Sequence, residues 1–406
     1  MNRGAINLTE ELMNFYKTIL AASVAAACLS LSTAFAADKK MPEKPGVPTL
    51  GQVMEATGIS FNGYIDTSYT HLSGTGTFTS GTANRVFDRE RRSFNVNALD
   101  LTLSALPPEG FGGMVNLTAG SDAKVIGSVG TDLNDEFDVT QAYVHYANGG
   151  LMVIGGKYVT LSGAEVIKSP ANTNFSRSIL FGYAIPFAHT GVRAYITPGG
   201  SAVSPDGKPT FIVGVNNGWD VQNESAAGNA AADGKLADKK TLELGFSATP
   251  TKNISLAAVI YSGEEPSLNT GATVGKRKLL DLVATFTAND ALSFTLNYDK
   301  AEQDKALTSG AKAKWNGIAG YVNYKLSDAW RASFRTESFD DKDGFRTGVV
   351  QKWKESTLTL ANTPAKNVEL RGELRADSSD KSSFSFPETG PKKSQNSLAL
   401  EAIYKF

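Results

Sequence analysis

The sequence predicts an all-β protein: a transmembrane, antiparallel, up-and-down β-barrel of about 16 strands, with long outer loops and short periplasmic turns. Three observations carry that expectation. From Ser60 onward, successive segments alternate apolar and polar positions, the period-two pattern of strands with one apolar and one polar face. The connections between them alternate in length, short and then long; a soluble sandwich has no reason to do this, whereas an outer-membrane barrel does. After residue 36 no apolar run approaches the about 20 residues that a membrane helix needs. A membrane-embedded chain of this kind must then use the other permitted solution, the closed barrel.

Composition narrows the function classes. Among 406 residues, 40 Lys+Arg stand against 41 Asp+Glu, for a net charge of -1. That excludes a dedicated nucleic-acid binder, which would present a basic face. A hydrophobic content of 41% is too high for disorder and too low for a helical transporter. Three His and one Cys leave little from which to build a zinc or thiol site, so no metal and no cofactor is expected.

Residues 1–36 read as a secretory signal peptide. Lys17 precedes an uncharged stretch from Thr18 to Phe35, and Ala34-Phe35-Ala36 forms a small-x-small site before a cut at Ala37. Met13 is an alternative start, since MNFYK already opens such a signal. A membrane anchor and a lipoprotein cut before Cys28 are the competing readings. Residues 37–59 carry Pro and charge early and a short helical stretch, GQVMEATG, later. They read as a flexible periplasmic leader.

The barrel spans 60–406. Its strands are expected at 60–71, 94–105, 112–120, 138–147, 151–159, 190–197, 210–218, 241–248, 254–262, 278–287, 292–299, 314–324, 330–338, 352–361, 367–376 and 396–406. Short connections such as ANGG, TPTKN, ANDA and NTPAKN carry the Pro, Gly, Asn and Asp of tight turns; 198–209 is the slack member of that set. An even count puts both chain ends in the periplasm, and 14 or 18 strands remain open alternatives. Aromatics near strand ends, among them Tyr69, Tyr146, Tyr158, Phe246 and Trp330, fit interfacial girdles. Ordinary strand propensity explains them equally well. The last strand puts Leu398, Leu400, Ala402, Tyr404 and Phe406 on one face and ends on Phe. It resembles the outer-membrane insertion signal, which implies the barrel-assembly machinery as a partner and makes Tyr404 and Phe406 the assembly residues.

Gly63-Tyr64-Ile65-Asp66, the run from Ala171 to Arg193 (ANTNFSRSILFGYAIPFAHTGVR) and this terminal strand resemble the β-barrel porins of the OmpL-like type. The resemblance covers nearly the whole mature chain. It implies a Gram-negative outer-membrane channel and supplies no substrate.

Charges on the polar parity must face the lumen, because each would cost about 2–4 kcal/mol on the lipid side near the midplane. The expected lumen wall includes Asp66, Asp100, His145, Arg331, Arg335, Glu369, Arg371, Glu373 and Arg375. A barrel of this size is too wide for wall side chains to fill, so water is the default content. Both signs are nearly balanced, which predicts passive, weakly charge-selective diffusion of small hydrophilic solutes. The connection 160–189 is the longest and carries Ile-Leu-Phe-Gly-Tyr-Ala-Ile-Pro-Phe after Ser178. An apolar patch of that size needs a covering surface. Folding into the mouth as a constriction loop is the economical solution, with Glu165, Lys168 and Arg177 near the path and Arg193 on the wall. A subunit contact and a plug are the alternatives, and a plugged barrel would serve as a structural protein or adhesin.

In the first long connection, Arg85, Arg89, Arg91 and Arg92 surround Asp88 and Glu90. They read as a solvated charged loop or as a contact to outer-membrane lipid and lipopolysaccharide phosphates. Whether the chain works as a homotrimer or a monomer is left open. No G-x-S-x-G elbow, H-E-x-x-H or Walker loop occurs, so no enzymatic activity is expected.

Overall fold

The computed structural model describes residues 50–73, 85–89, 92–130, 135–225, 230, 234–235, 237–267, 273–384 and 390–406. The signal segment with its alternative start, the leader up to residue 49, and Glu90 and Arg91 lie outside the described residues. A short helix, α1 (Leu50–Thr57), precedes the first strand, where the sequence placed one.

Sixteen strands follow: β1 (Ser60–Leu72), β2 (Ser93–Ala105), β3 (Gly110–Ala119), β4 (Phe137–Asn148), β5 (Leu151–Val159), β6 (Ala188–Ile196), β7 (Thr210–Asn216) and β8 (Thr241–Thr251). The second half comprises β9 (Ile254–Glu265), β10 (Gly275–Thr287), β11 (Leu292–Gln303), β12 (Ala313–Lys325), β13 (Trp330–Asp341), β14 (Gln351–Ala365), β15 (Val368–Ser379) and β16 (Ser394–Lys405). A one-turn helix, α2 (Ala123–Ile126), sits between β3 and β4. Each strand pairs antiparallel with its sequence neighbours, and β1 closes on β16. At the seam the Gly63 N–H donates to the Phe406 carbonyl at 2.9 Å, and the Phe406 N–H returns the bond at 3.0 Å. No backbone edge is left on the sheet.

Alternation sets which face each side chain takes, and the faces are inverted relative to a soluble sandwich. Along β14, Glu355, Thr357 and Thr359 are buried while Leu358 and Leu360 are exposed. On β15, Arg371, Glu373 and Arg375 are buried and Leu374 is 58% exposed. Apolar residues outside and charged residues inside is the pattern that lipid requires.

Two turns differ from the sequence expectation. TPTKN and NTPAKN were expected to be turns throughout, yet β8 runs to Thr251 and β14 to Ala365. Register shifts at Ala248/Thr251 and Asn362/Ala365 absorb Pro250 and Pro364. Proline cannot donate to a ladder, so it sits where the ladder is already broken. Tyr158 also departs from its expected girdle position. It is buried at 1% exposure, with its hydroxyl donating to Asn216 Oδ1 at 2.5 Å. Gly156, at φ 139°, interrupts the alternation just before it.

Candidate functional site

The connection from Thr160 to Phe187, between β5 and β6, lies inside the barrel. Its only regular pieces are a 3-10 turn (Ser169–Ala171) and a π turn (Leu180–Ala184). Most of its backbone groups therefore need partners outside the loop. The wall supplies them from strands on several sides of the lumen.

At the root, Leu161 N–H donates to Tyr261 Oη at 3.2 Å, Gly163 N–H to Asp281 Oδ2 at 3.1 Å and Ala164 N–H to Asn297 Oδ1 at 3.2 Å. Across the lumen, Glu373 accepts the N–H groups of Phe175 and Ser176, and Glu337 accepts those of Ile179 and Leu180. Arginines take the carbonyls. Arg331 reaches Thr173 O at 3.3 Å, Arg335 reaches Ser176 O at 2.6 Å and Arg375 reaches Arg177 O at 2.7 Å. Arg371 donates to the carbonyls of Ser169, Asn172 and Asn174. Further on, Trp315 Nε1 donates to Ala184 O at 3.1 Å.

The apolar stretch is covered as well. Ile179, Leu180, Phe181, Ala184, Ile185 and Phe187 are buried in one cluster with wall residues that include Trp315, Phe339 and Trp353. Phe87 of the first long connection closes the cluster from outside, 5.9 Å from the Phe181 ring and 5.6 Å from that of Phe187. Burying one Leu or Phe side chain contributes about 1.5–3 kcal/mol, so this cluster holds the loop alongside the polar contacts. Gly182 allows close approach of the first long connection, because a Cβ there would meet Val86 Cγ2 at 2.6 Å.

Where the loop meets the wall, charges occur in pairs. Arg335 bonds Glu165 and Glu355, each at 2.6 Å. Arg371 lies between Glu369 at 2.8 Å and Glu401 at 3.0 Å, and Arg375 bonds Asp377 at 2.9 Å. Arg331 reaches Glu369 at 3.0 Å. Asp66, Asp100, His145, Arg335, Glu369, Arg371, Glu373 and Arg375 are all buried. A segment of the chain itself thus takes up part of the lumen that the wall encloses, and covers these wall charges.

The four residues expected at a constriction separate. Glu165 is held by Arg335 and by the Ser178 N–H at 2.6 Å. Arg177 turns into its own loop, donating to Ile167 O at 2.5 Å and Phe175 O at 2.9 Å, with its guanidinium 5.0 Å from the Phe87 ring centre. Lys168 bonds Asp100 at 3.0 Å and keeps 32% of its side chain exposed. Arg193 stands apart on β6, bonded to Glu243 at 2.9 Å and stacked on Tyr158 at 4.2 Å. Loop and wall thus bring Glu165 and Arg335 together but leave Arg193 elsewhere.

Glu355 and Asp377 were missed, although each shares the inward parity of its strand with residues that were chosen. His145 lies inward, as expected, and neither ring nitrogen has a hydrogen-bond partner among the described residues. The first-connection arginines were read as solvated or lipid-facing; Arg85 is neither. It is buried, bonded to Asp88 and to Asp377 at 2.6 Å, because the lumen offers it carboxylates. Arg89 donates to Val86 O at 2.6 Å, and Arg92 is exposed.

Above the loop, Asp220 accepts the N–H groups of Phe187 and Ala188 at 2.7 and 2.9 Å. Burial pushes its carboxyl above the usual range, opposed by those two N–H groups and by Arg346 and Arg277. Burial and the neighbouring Arg277 bring Arg346 down to about 10, still charged at neutral pH, and burial raises Tyr183 to about 12.

Three solved structures illustrate the fold relationship. The outer membrane channel DcaP of Acinetobacter baumannii is 14% identical, with a TM-score of 0.59 over 86% of this chain and 97% of its own. The anion-selective porin from Comamonas acidovorans is also 14% identical, with a TM-score of 0.59 over 86% and 99%. The trimer form of OmpT of Vibrio cholerae is 12% identical, with a TM-score of 0.56 over 86% and 99%. No curated protein sequence matches the chain. The family described as "Putative beta-barrel porin-2, OmpL-like" matches residues 58–406. With that match over the whole closed barrel, the chain belongs to the OmpL-like β-barrel porins of the bacterial outer membrane.

Proposed function

We propose that this porin passes small hydrophilic solutes passively, without covalent chemistry, through an aperture set by the 160–187 loop. The observation that carries this reading is the loop's course through the lumen, pinned by Glu337 and Glu373 on its N–H groups and by Arg335, Arg371 and Arg375 on its carbonyls. A loop held on both kinds of backbone group keeps a fixed aperture. Selectivity follows from the same contacts. Arg331, Arg335, Arg371 and Arg375 each face a carboxylate within 3.0 Å, so their net field along the path is small and ions of either sign pass.

A plugged barrel is the second reading, favoured by the burial of the wall charges at mid-height. Planar-bilayer recording of the purified protein separates the two. Discrete steps with a reversal potential near zero in a salt gradient support the porin; a silent bilayer supports the plug. A homotrimer is the proposed assembly, by analogy with the trimer form of OmpT, and crosslinking in native membranes tests it.

A further inference from the structure

Two acids of the inner wall lie directly opposite one another with no cation between them. Cross-strand register pairs Asp281 on β10 with Asp299 on β11. Both side chains point inward, at 1% and 0% exposure. Neither bonds a Lys or Arg among the described residues, and no donor among them reaches either carboxyl oxygen of Asp299. Asp281 is engaged with the inserted loop. Its Oδ2 accepts the Gly163 N–H at 3.1 Å and Asn297 Nδ2 at 2.8 Å, while Asn297 Oδ1 accepts the Ala164 N–H at 3.2 Å. The pair therefore underlies two successive anchors of the loop root.

The elements packed around the two acids bring no compensating charge. On β9, Val259 stands opposite Asp281, and Tyr261 two residues on carries the stacked His189 and donates its hydroxyl to Glu243. On β12, Gly317 stands opposite Asp299, and a Cβ there would meet Leu180 Cδ1 of the loop at 2.6 Å. From β13 comes a third carboxylate, Glu337, whose oxygens take the N–H groups of Ile179 and Leu180. The loop adds Glu165 after Ala164, and that acid is bonded to Arg335. Burial, like charge and an apolar cover all act on Asp281 and Asp299 in the same direction.

The two carboxyl groups lie within hydrogen-bond reach of each other. An ionised carboxylate accepts and never donates, so a bond between two of them needs a proton. Like charges this close in an enclosed site do not both ionise at ordinary cost, and such a pair titrates as one unit. We infer that Asp281 and Asp299 hold one proton between them as a latch, and that its loss to solvent frees the loop root from β10 and β11, which makes the aperture respond to pH. With the proton gone, two negative charges face each other under an apolar cover. They separate, and the anchors at Gly163 and Ala164 move with Asp281 and Asn297. The latch is therefore closed at low pH and is lost as pH rises.

The test uses the full-length barrel and its Asp299→Asn variant, which keeps the shape and gives Asp281 a permanent donor in place of the proton. Infrared difference spectra across a pH titration should show a protonated carboxyl C=O band in wild type that disappears as pH rises, and no such band in D299N. Amide hydrogen exchange of a peptide covering the loop root then reads the latch itself. After division by the free-peptide rate, opening in wild type should grow by up to about tenfold per pH unit, the slope for one released proton, while D299N stays flat. Conductance should follow the same pH profile; this arm rests on the proposed aperture, so a silent bilayer beside a titrating root would count against the porin reading and leave the latch standing. Equal, flat opening in wild type and D299N would overturn the latch. Should D299N fail to assemble, a wild-type spectrum without the titrating carboxyl band would overturn it alone. So would a root that loosens on chelator at neutral pH and tightens on added calcium, since a metal ion and not a proton would then lie between the two acids.

Discussion

Arg335 on β13 joins two carboxylates that the chain keeps 190 residues apart: Glu165 on the inserted loop and Glu355 on β14, each at 2.6 Å. The guanidinium is fully buried and also donates to the carbonyl and hydroxyl of Ser176. One side chain therefore fixes the loop to the wall and shares its positive charge between both acids. Arg335→Ala leaves two buried carboxylates without their shared cation, a change that costs about 3–5 kcal/mol when one partner of a buried pair is removed. Urea unfolding of the purified barrel should show that loss, and single-channel traces should become noisier. A variant with wild-type midpoint and quiet traces would show that the loop is held by other contacts.

Shortening the loop across 172–186 removes the segment that bonds Glu337, Glu373 and Arg375. Conductance should rise severalfold and the size limit in a liposome-swelling assay should move to larger sugars. Parent conductance in a correctly folded deletion would mean that the loop does not set the aperture.

Charge selectivity should respond at Lys168 more than at Arg177. The sequence put both near the path, but the Arg177 guanidinium is committed to Ile167 O and Phe175 O, whereas Lys168 is part-exposed beside Asp100. Lys168→Glu should shift the reversal potential toward cation preference with conductance little changed. Arg177→Glu should chiefly loosen the loop, because it buries an unpaired carboxylate. A larger selectivity change from Arg177→Glu at unchanged stability would reverse this assignment.

The seam gives a further prediction. Phe406 exchanges two backbone bonds with Gly63, and a Cβ at Gly63 would meet the Phe406 ring at 2.8 Å. Gly63→Val and deletion of Phe406 should both impair closure, seen as less heat-modifiable protein in the membrane fraction. Normal yields of the folded form for both would show that the remaining β1–β16 ladder suffices.

A strand number near sixteen, the closed order and the facing of nearly every wall residue were legible in the sequence, because they depend on a period of two that each segment carries locally. The long and short connections were legible for the same reason. Exceptions occurred where one residue breaks the period, as Gly156 does before Tyr158 and Pro364 does within β14. The contacts of the loop were another matter. Its apolar run Ile179 to Phe187 told that it needed covering, yet not that Glu337 and Glu373 would take its N–H groups or that Arg177 would turn away from the path. Those choices depend on which wall residues lie opposite across the closed barrel, a distance that no local pattern encodes. The sequence by itself determined a barrel and its inside; only the tertiary structure decided what fills that inside, because a long loop's backbone groups must bond to whatever the lumen presents to them.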